Sequence, residues 1–580
     1  MNCLNNDPIP LCSHFSHWIP IRKFLHDILT ASRIRLLWLA VGSSLLLSVA
    51  QAASTLRPNL IFILTDDQRY DTLGVTGDGF IKTPHLDQLA AEGILFANAS
   101  VNSAICTPSR ACYFLGQYER RHGVNFNSGT AMAPEAWAQS YPVKLREAGY
   151  FTGYVGKNHV PIGAQAYDTG IIEQSFDFWY AGHGHLRFYP KERQPIFRGA
   201  KADTQIEIIN EGAQTFLDSA DGFIKGAATF LDHRPSDQPF ALSIALNLPH
   251  GSSTGTMKLL PSDPELYRTR YRDHLAALAL PTTYVARADI TTPKLPPDVL
   301  YANMRQTGYD EVDTPEAMKD LLIRETQTIT GIDQFVGALR ATLDRLGVAD
   351  NTVIIFTSDH GIMRGEFGLG GKALNYETCL KVPLIVLDPR LPAAQRGRRS
   401  MALTESVDIA PTLLDYAGIN APDTMQGLSL QPLVNGRATD LRNSSFAENL
   451  WSTYFGNPRI ESVRTQEWKY IRYFTNDRTQ FADVTAKTQY LVTASQAQHY
   501  AEWLTSSVKG EPPVYEELYH LASDPKETTN LADRVAYAAK LAELRAECQR
   551  LVTMAKGDVN TPPATVLVPN IKEGTTKKQS

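Results

Sequence analysis

Five consecutive residues, Cys106-Thr107-Pro108-Ser109-Arg110, join a thiol to a tight turn, a hydroxyl and a permanent cation. Pro108 suits the first turn of a helix, so Cys106 is expected just before the N-terminus of a segment running through Ala111 to Leu115. That end of a helix attracts anions. A lone thiol is otherwise a disulfide partner or a small buried apolar residue, and it is the company Cys106 keeps that argues for chemistry. Asp66 and Asp67 follow the apolar run Leu60–Leu64, and adjacent carboxylates repel unless a cation or strong donors lie between them. Asp359-His360 repeats the arrangement after Val353–Phe356. Lys157 and His159, two apart on an extended segment, point the same way, as two donors for one anion should. The set thus offers a thiol, hard oxygen ligands for a divalent cation and cationic donors for an anion.

The elements that must position these groups are legible as punctuation. Leu60–Leu64, Phe151–Val155, Phe240–Leu246, Val353–Phe356 and Val382–Leu387 read as strands buried on both faces. Helices are expected from Thr83-Pro84 to Gly93, over Pro142–Ala148, from Glu325 to Gly347, and over Asp408–Ala417. Alternation of strands and helices over residues 55–435 predicts an α/β fold, a large mostly parallel or mixed sheet between helices. Ligands bind such sheets at the carboxyl ends of the strands, where the acidic pairs stand. The aromatic and charged stretch Phe176–Arg198, with His183, His185, Arg187 and Tyr189, reads as a loop insertion, and Ser252–Ala317 as long loops. From about residue 436 the pattern changes: Val463–Thr465 and Trp468–Tyr473 alternate as half-exposed antiparallel strands do. A smaller α+β subdomain is expected over residues 436–556, and a disordered tail from Gly557 to 580.

The chain has 580 residues, 43% of them hydrophobic and 20% charged, as in a soluble globular protein with a sizeable core. A net charge of -5 with no basic block argues against nucleic acid as a partner. Arg33 and Arg35 precede an apolar run to Ala50 and a small-x-small site, Ala50-Gln51-Ala52. Residues 1–52 therefore read as an export leader, with periplasmic or secreted localisation; an uncleaved membrane anchor is the alternative. Cys3 and Cys12 would leave with the leader, and the four remaining cysteines do not make a disulfide scaffold.

Cys-x-Pro-Ser-Arg resembles the signature of the formylglycine-dependent sulfatases of the alkaline phosphatase superfamily. A second stretch, Gly149-Tyr150-x-Thr152-x-x-x-Gly156-Lys157-x-His159, is similar to that family's second signature. Gly365-Glu366-Phe367-Gly368-Leu369-Gly370-Gly371-Lys372 resembles its approach to a second active-site lysine, and His250 the histidine after a central strand. Glu517 through Asn530-Leu531 is similar to its closing subdomain.

The resemblance implies that Cys106 is oxidised to formylglycine by a formylglycine-generating enzyme. A serine that attacked a sulfate ester would be left as a stable sulfate ester; an aldehyde hydrate attacks through one hydroxyl and expels sulfate through the other. It also implies a bound Ca²⁺, or Mg²⁺, held by Asp66, Asp67, Asp359, His360 and the modified Cys106. By the same resemblance Arg110 steadies the modified residue, Lys157 and Lys372 neutralise sulfate oxygens, His159 contacts the diol, and His250 gives the leaving alcohol its proton. The substrate would be a sulfated carbohydrate or an aryl sulfate. Phosphonate or phosphate monoester hydrolysis is the rival within enzymes, and binding of a sulfated polysaccharide without catalysis the rival outside them. A glycosidase is disfavoured, since no carboxylate pair stands apart from the metal set.

Overall fold

The computed structural model describes residues 57–77, 79–126, 129–183, 225–253, 269–297, 299–300, 310–451, 458–475 and 494–568. The leader, His185, Arg187, Tyr189 and the end of the tail lie outside the described residues.

Asn59–Asp66 is a strand buried along its whole length. Leu60, Phe62 and Leu64 enter one hydrophobic cluster and Ile61 and Ile63 another, as alternation in a sheet covered on both faces requires. Each such side chain contributes roughly 1.5–3 kcal/mol by leaving water. The sheet has eight strands in the order Arg398–Glu405, Ile94–Ser100, Leu384–Leu387, Thr352–Ser358, Asn59–Asp66, Phe240–Pro249, Phe151–Asn158, Phe178–His183. All neighbours pair in parallel except Leu384–Leu387, which runs antiparallel to both of its partners. The sheet is thus mixed, mostly parallel and sandwiched between helices. A second sheet of four antiparallel strands, Ser445–Asn449, Arg459–Arg464, Trp468–Phe474 and Tyr515–His520, forms the C-terminal region.

Three expectations change. The helix expected from Glu325 runs from Pro315 to Arg345, with the Thr314 side chain capping Ala317 N. Its first turns bury Met318 and Leu321 in a separate small cluster with Val312, so the long apolar stripe does not announce them. Within the stretch read as a loop insertion, Phe178–His183 is the edge strand of the large sheet. The tail expected to be disordered from Gly557 carries a strand, Thr565–Val568, which pairs with Gly129–Met132. Its Lys- and Thr-rich composition hides a short Val-Leu-Val run that only an edge elsewhere in the chain can order.

Candidate active site

Four adjacent central strands run in parallel, so their carboxyl ends lie side by side. Asn59–Asp66 ends in Asp66 and passes to Asp67, which adopts the left-handed conformation at φ 67°. Thr352–Ser358 delivers Asp359 and His360, Phe240–Pro249 delivers His250, and Phe151–Asn158 carries Lys157 and passes to His159. The backbone N–H of Asp67 donates to Asp359 Oδ1 at 3.1 Å, tying two strand ends together. Cys106 is the first residue of a helix, Cys106–Leu115, with Ile105 at the cap, so it stands inside the helix and not before it. That helix is locked to the sheet through Ser109 Oγ, which donates to Asp359 O at 2.5 Å, and Tyr113 OH, which donates to Ser358 O at 2.8 Å.

The groups converge on one sulfur. Cys106 Sγ is 3.7 Å from Asp66 Oδ1, 3.3 Å from His360 Nε2 and 3.3 Å from Lys372 Nζ. Lys372 Nζ also donates to Asp67 Oδ1 at 2.8 Å, and Lys157 Nζ to Asp66 Oδ2 at 2.5 Å. Arg110 bridges Asp359 Oδ2 and Asp66 Oδ2 at 3.0 Å each and donates to Lys157 O at 3.3 Å. His250 Nδ1 is 2.6 Å from Asp67 Oδ2. His250 is 14% exposed at its side chain whereas Lys157 and Asp66 are at zero, which makes it the member that faces outward.

Protonation follows from these contacts. Burial opposes ionisation of Asp66, but Lys157, His250 and Arg110 together hold its carboxyl well below the usual range. Asp67 is likewise depressed against burial, by Lys372 and His250. Burial, and then the Asp66 charge, pushes the Cys106 thiol up, so the unmodified residue is a protonated thiol and a poor nucleophile at neutral pH. Burial favours neutral His250, yet Asp67 raises it, and the net shift is upward. Burial lowers both His159 and His360. His360 Nδ1 lies 3.0 Å from Gly361 O; a carbonyl only accepts, so Nδ1 carries the proton. Nε2 then turns its lone pair toward Cys106.

Two overlapping groups could hold an ion: Asp66, Cys106, Asp359 and His360, and Asp66, Asp67, Cys106 and His250, each with ligand atoms within 4.8 Å of one another. Three aspartates held by surrounding cations suit a hard divalent ion, and the lone pair on His360 Nε2 gives that imidazole a free ligand atom. All ten residues singled out in the sequence come to this one place. His159 sits at its edge, its ring 6.1 Å from that of Phe126.

Asn158 was not foreseen. Its amide lies 2.8 Å from His183 Nδ1, and His183 Nε2 lies 2.5 Å from Glu173 Oε1. His183 therefore braces the backbone between Lys157 and His159. The only signal in the sequence is the position of Asn158 between the two donors.

Residues 58–419 match the profile of the Sulfatase family, and residues 365–510 that of the N-sulphoglucosamine sulphohydrolase C-terminal region. An N-acetylglucosamine-6-O-sulfatase of Bacteroides thetaiotaomicron is 26% identical over 91% of this chain and 92% of its own. A solved protein in complex with its substrate D-glucosamine-2-N,6-O-disulfate superposes with a TM-score of 0.58 at 22% identity, covering 88% of this chain and 99% of that one. A phosphonate monoester hydrolase from Silicibacter pomeroyi shares the fold with a TM-score of 0.62 at 23% identity, over 86% and 96% of the two chains. Strand ends that gather a buried thiol, three aspartates and their cations, in a chain matched by this profile over its catalytic sheet, identify a member of the sulfatase family, hydrolases of sulfate esters.

Proposed function

We propose that the protein is an exported sulfatase that removes sulfate from a sulfated sugar, with Cys106 converted to formylglycine and a divalent cation bound beside it. The observation that carries this reading is the convergence of Asp66, His360 and Lys372 on Cys106 Sγ, with Lys157 and Arg110 directly behind. Burial holds the unmodified thiol protonated, so Cys106 as a plain cysteine is a poor nucleophile for a sulfate ester. Formylglycine at position 106 supplies an aldehyde hydrate, a nucleophile that carries a second hydroxyl to clear the enzyme. Asp66, Asp67, Asp359 and His360 would hold Ca²⁺ or Mg²⁺, which supplies Lewis-acid polarisation of a sulfate oxygen.

The chain's own side chains do the rest. Lys157 and Lys372 balance the charge on the sulfuryl oxygens, in a buried site where each is worth more than in water. Arg110 fixes Asp66 and Asp359 while its helix fixes position 106. His159, held neutral by burial, is suited to accept or donate one hydrogen bond to the attacking group. His250 faces outward and has its protonated form favoured by Asp67, which suits it to give the departing alcohol its proton. The sugar class is supported by the relatives above, and export by the leader at residues 1–52. Among the described residues no helix is long and apolar enough to cross a membrane.

The test is intact-peptide mass across Cys106 after co-expression with a formylglycine-generating enzyme, alongside release of sulfate from N-acetylglucosamine 6-sulfate and an aryl sulfate. Loss of about 18 Da with chelator-sensitive turnover is expected. An unmodified thiol with no turnover would move the reading to a binder of sulfated polysaccharide. Faster turnover of a phosphonate ester than of either sulfate would move it to a phosphonate hydrolase.

A further inference from the structure

Asn158 stands between Lys157 and His159, and its side chain is bonded on both of its polar atoms. The Val160 N–H donates to Asn158 Oδ1 at 3.1 Å, while Asn158 Nδ2 donates to Val160 O at 3.3 Å and lies 2.8 Å from His183 Nδ1. The first of these bonds closes a turn with His159 at its centre. It also settles the amide: the oxygen meets the Val160 N–H, so the nitrogen faces the imidazole and donates. His183 Nδ1 therefore accepts, its proton sits on Nε2, and Nε2 donates to Glu173 Oε1 at 2.5 Å. The bonds run in one direction, from Val160 through Asn158 and His183 to Glu173.

The members of this chain are fixed by their own surroundings. Asn158 and His183 are register partners across the parallel strands Phe151–Asn158 and Phe178–His183, which sets their side chains on one face. The His183 ring packs near Tyr167 and Trp179, with centroids 5.3 and 6.0 Å away. Glu173 belongs to the short helix Ile171–Gln174 and is buried there. Its Oε2 makes no hydrogen bond, so the contact with His183 is the one that offsets the cost of burying this carboxyl. The carbonyl before Asn158 is held separately: Lys157 O accepts from Arg110 Nη1 at 3.3 Å and from Tyr154 OH at 2.7 Å. The backbone from Lys157 to Val160 is thus pinned by the Cys106 helix at one residue and by the Glu173 chain at the next.

We infer that Glu173 and His183 are positioning residues for sulfate-ester cleavage, which through Asn158 hold the turn that aims Lys157 and His159 at the sulfuryl group. The roles of Lys157 and His159 rest on the function proposed above; the bonded chain behind them does not.

The experiment compares the formylglycine-bearing full-length enzyme with its Glu173→Met, Glu173→Gln and His183→Phe variants. The readouts are kcat and KM on an aryl sulfate and on N-acetylglucosamine 6-sulfate, calorimetric titration of inorganic sulfate, and melting temperature. Glu173→Met and His183→Phe should each lower kcat/KM by about 10- to 100-fold on both esters alike, because the sulfuryl group is common to both. Sulfate binding should weaken by about 10-fold in the same two variants. Glu173→Gln keeps an acceptor for the His183 Nε2–H and should stay within about 3-fold of wild type on each rate. Wild-type rates in Glu173→Met and His183→Phe overturn the proposal, and with a lowered melting temperature they show the two residues to be structural only. A loss in Glu173→Gln as deep as in Glu173→Met overturns it too, as does a loss confined to the sugar ester, which would place the effect on the leaving group. If the wild-type protein releases sulfate from neither ester, the catalytic reading falls. The positioning role then stands if sulfate binding weakens in Glu173→Met and His183→Phe and is kept in Glu173→Gln, and falls otherwise.

Discussion

Two buried charge clusters in this molecule are built from similar parts and do different things. At the junction with the C-terminal sheet, Arg120 reaches Glu448 and Glu461 at 2.6 Å each, and Arg472 Nε closes on Glu461 at 2.6 Å. Ser507 Oγ donates to Glu461, and the Arg120 backbone N–H to Glu448. Guanidinium and carboxylate match each other there, two of each, and the Cys548 thiol beside them is kept from ionising chiefly by its burial. At the strand ends the same kind of pairing surrounds a sulfur, and Asp66 alone is shared by Lys157, Arg110 and His250. Both clusters bear the cost of taking charges out of water. The junction recovers it by mutual saturation, which stabilises. At the strand ends three carboxylates, Asp66, Asp67 and Asp359, share the cations Lys157, Arg110 and Lys372 around that sulfur, so the charges are balanced about a group that can react instead of about one another.

If that contrast is right, substitutions at the two places should fail differently. Cys106→Ala should lower sulfate-ester turnover by at least about 10⁴-fold, with little change in melting temperature. A stable enzyme that kept more than a hundredth of its rate would place the nucleophile elsewhere. His250→Gln should cost about 10²–10⁴ in kcat on an alkyl sulfate and much less on a nitrophenyl sulfate, whose leaving group needs no proton. Equal losses on both would deny His250 the role of acid. Arg120→Met should instead destabilise by about 3–5 kcal/mol in denaturant melts, because it leaves Glu448 buried without a cation and Glu461 with Arg472 alone. The folded fraction should turn over normally; a lost kcat without lost stability would erase the distinction between the clusters.

The smallest effect concerns Glu119, beside the junction. It accepts from Tyr500 OH, Ser103 Oγ and Leu450 N, yet burial and the charge of Glu448 push its carboxyl up to about 8. A carboxyl raised on folding binds its proton more tightly in the native state. Its stabilising contribution is therefore complete below the unfolded value near 4.5 and fades as pH rises toward 8. Glu119→Gln should flatten the fall in melting temperature between pH 5 and 8 by a few degrees. An unchanged slope would mean that Glu119 is ionised throughout.

Much of this was written locally. Buried strands announced themselves as unbroken apolar runs, and each ended in residues too polar to continue it, so Asp66, Lys157, His250 and Asp359 could be named as strand-end groups before any pairing was known. The Cys106 motif and its downstream lysines specified the family because their order along the chain is itself information. What the chain could not state locally was adjacency. Asn59–Asp66 lies between Phe240–Pro249 and Thr352–Ser358, partners hundreds of residues away, and no periodicity encodes that choice. The antiparallel insertion of Leu384–Leu387, the strand at Thr565–Val568, the early start of the Pro315–Arg345 helix and the His183 brace on Asn158 were decided the same way. Local sequence sets which residues cannot face water and where a strand must stop. Only the packing of distant segments decides which stops meet, and so turns ten scattered side chains into one site.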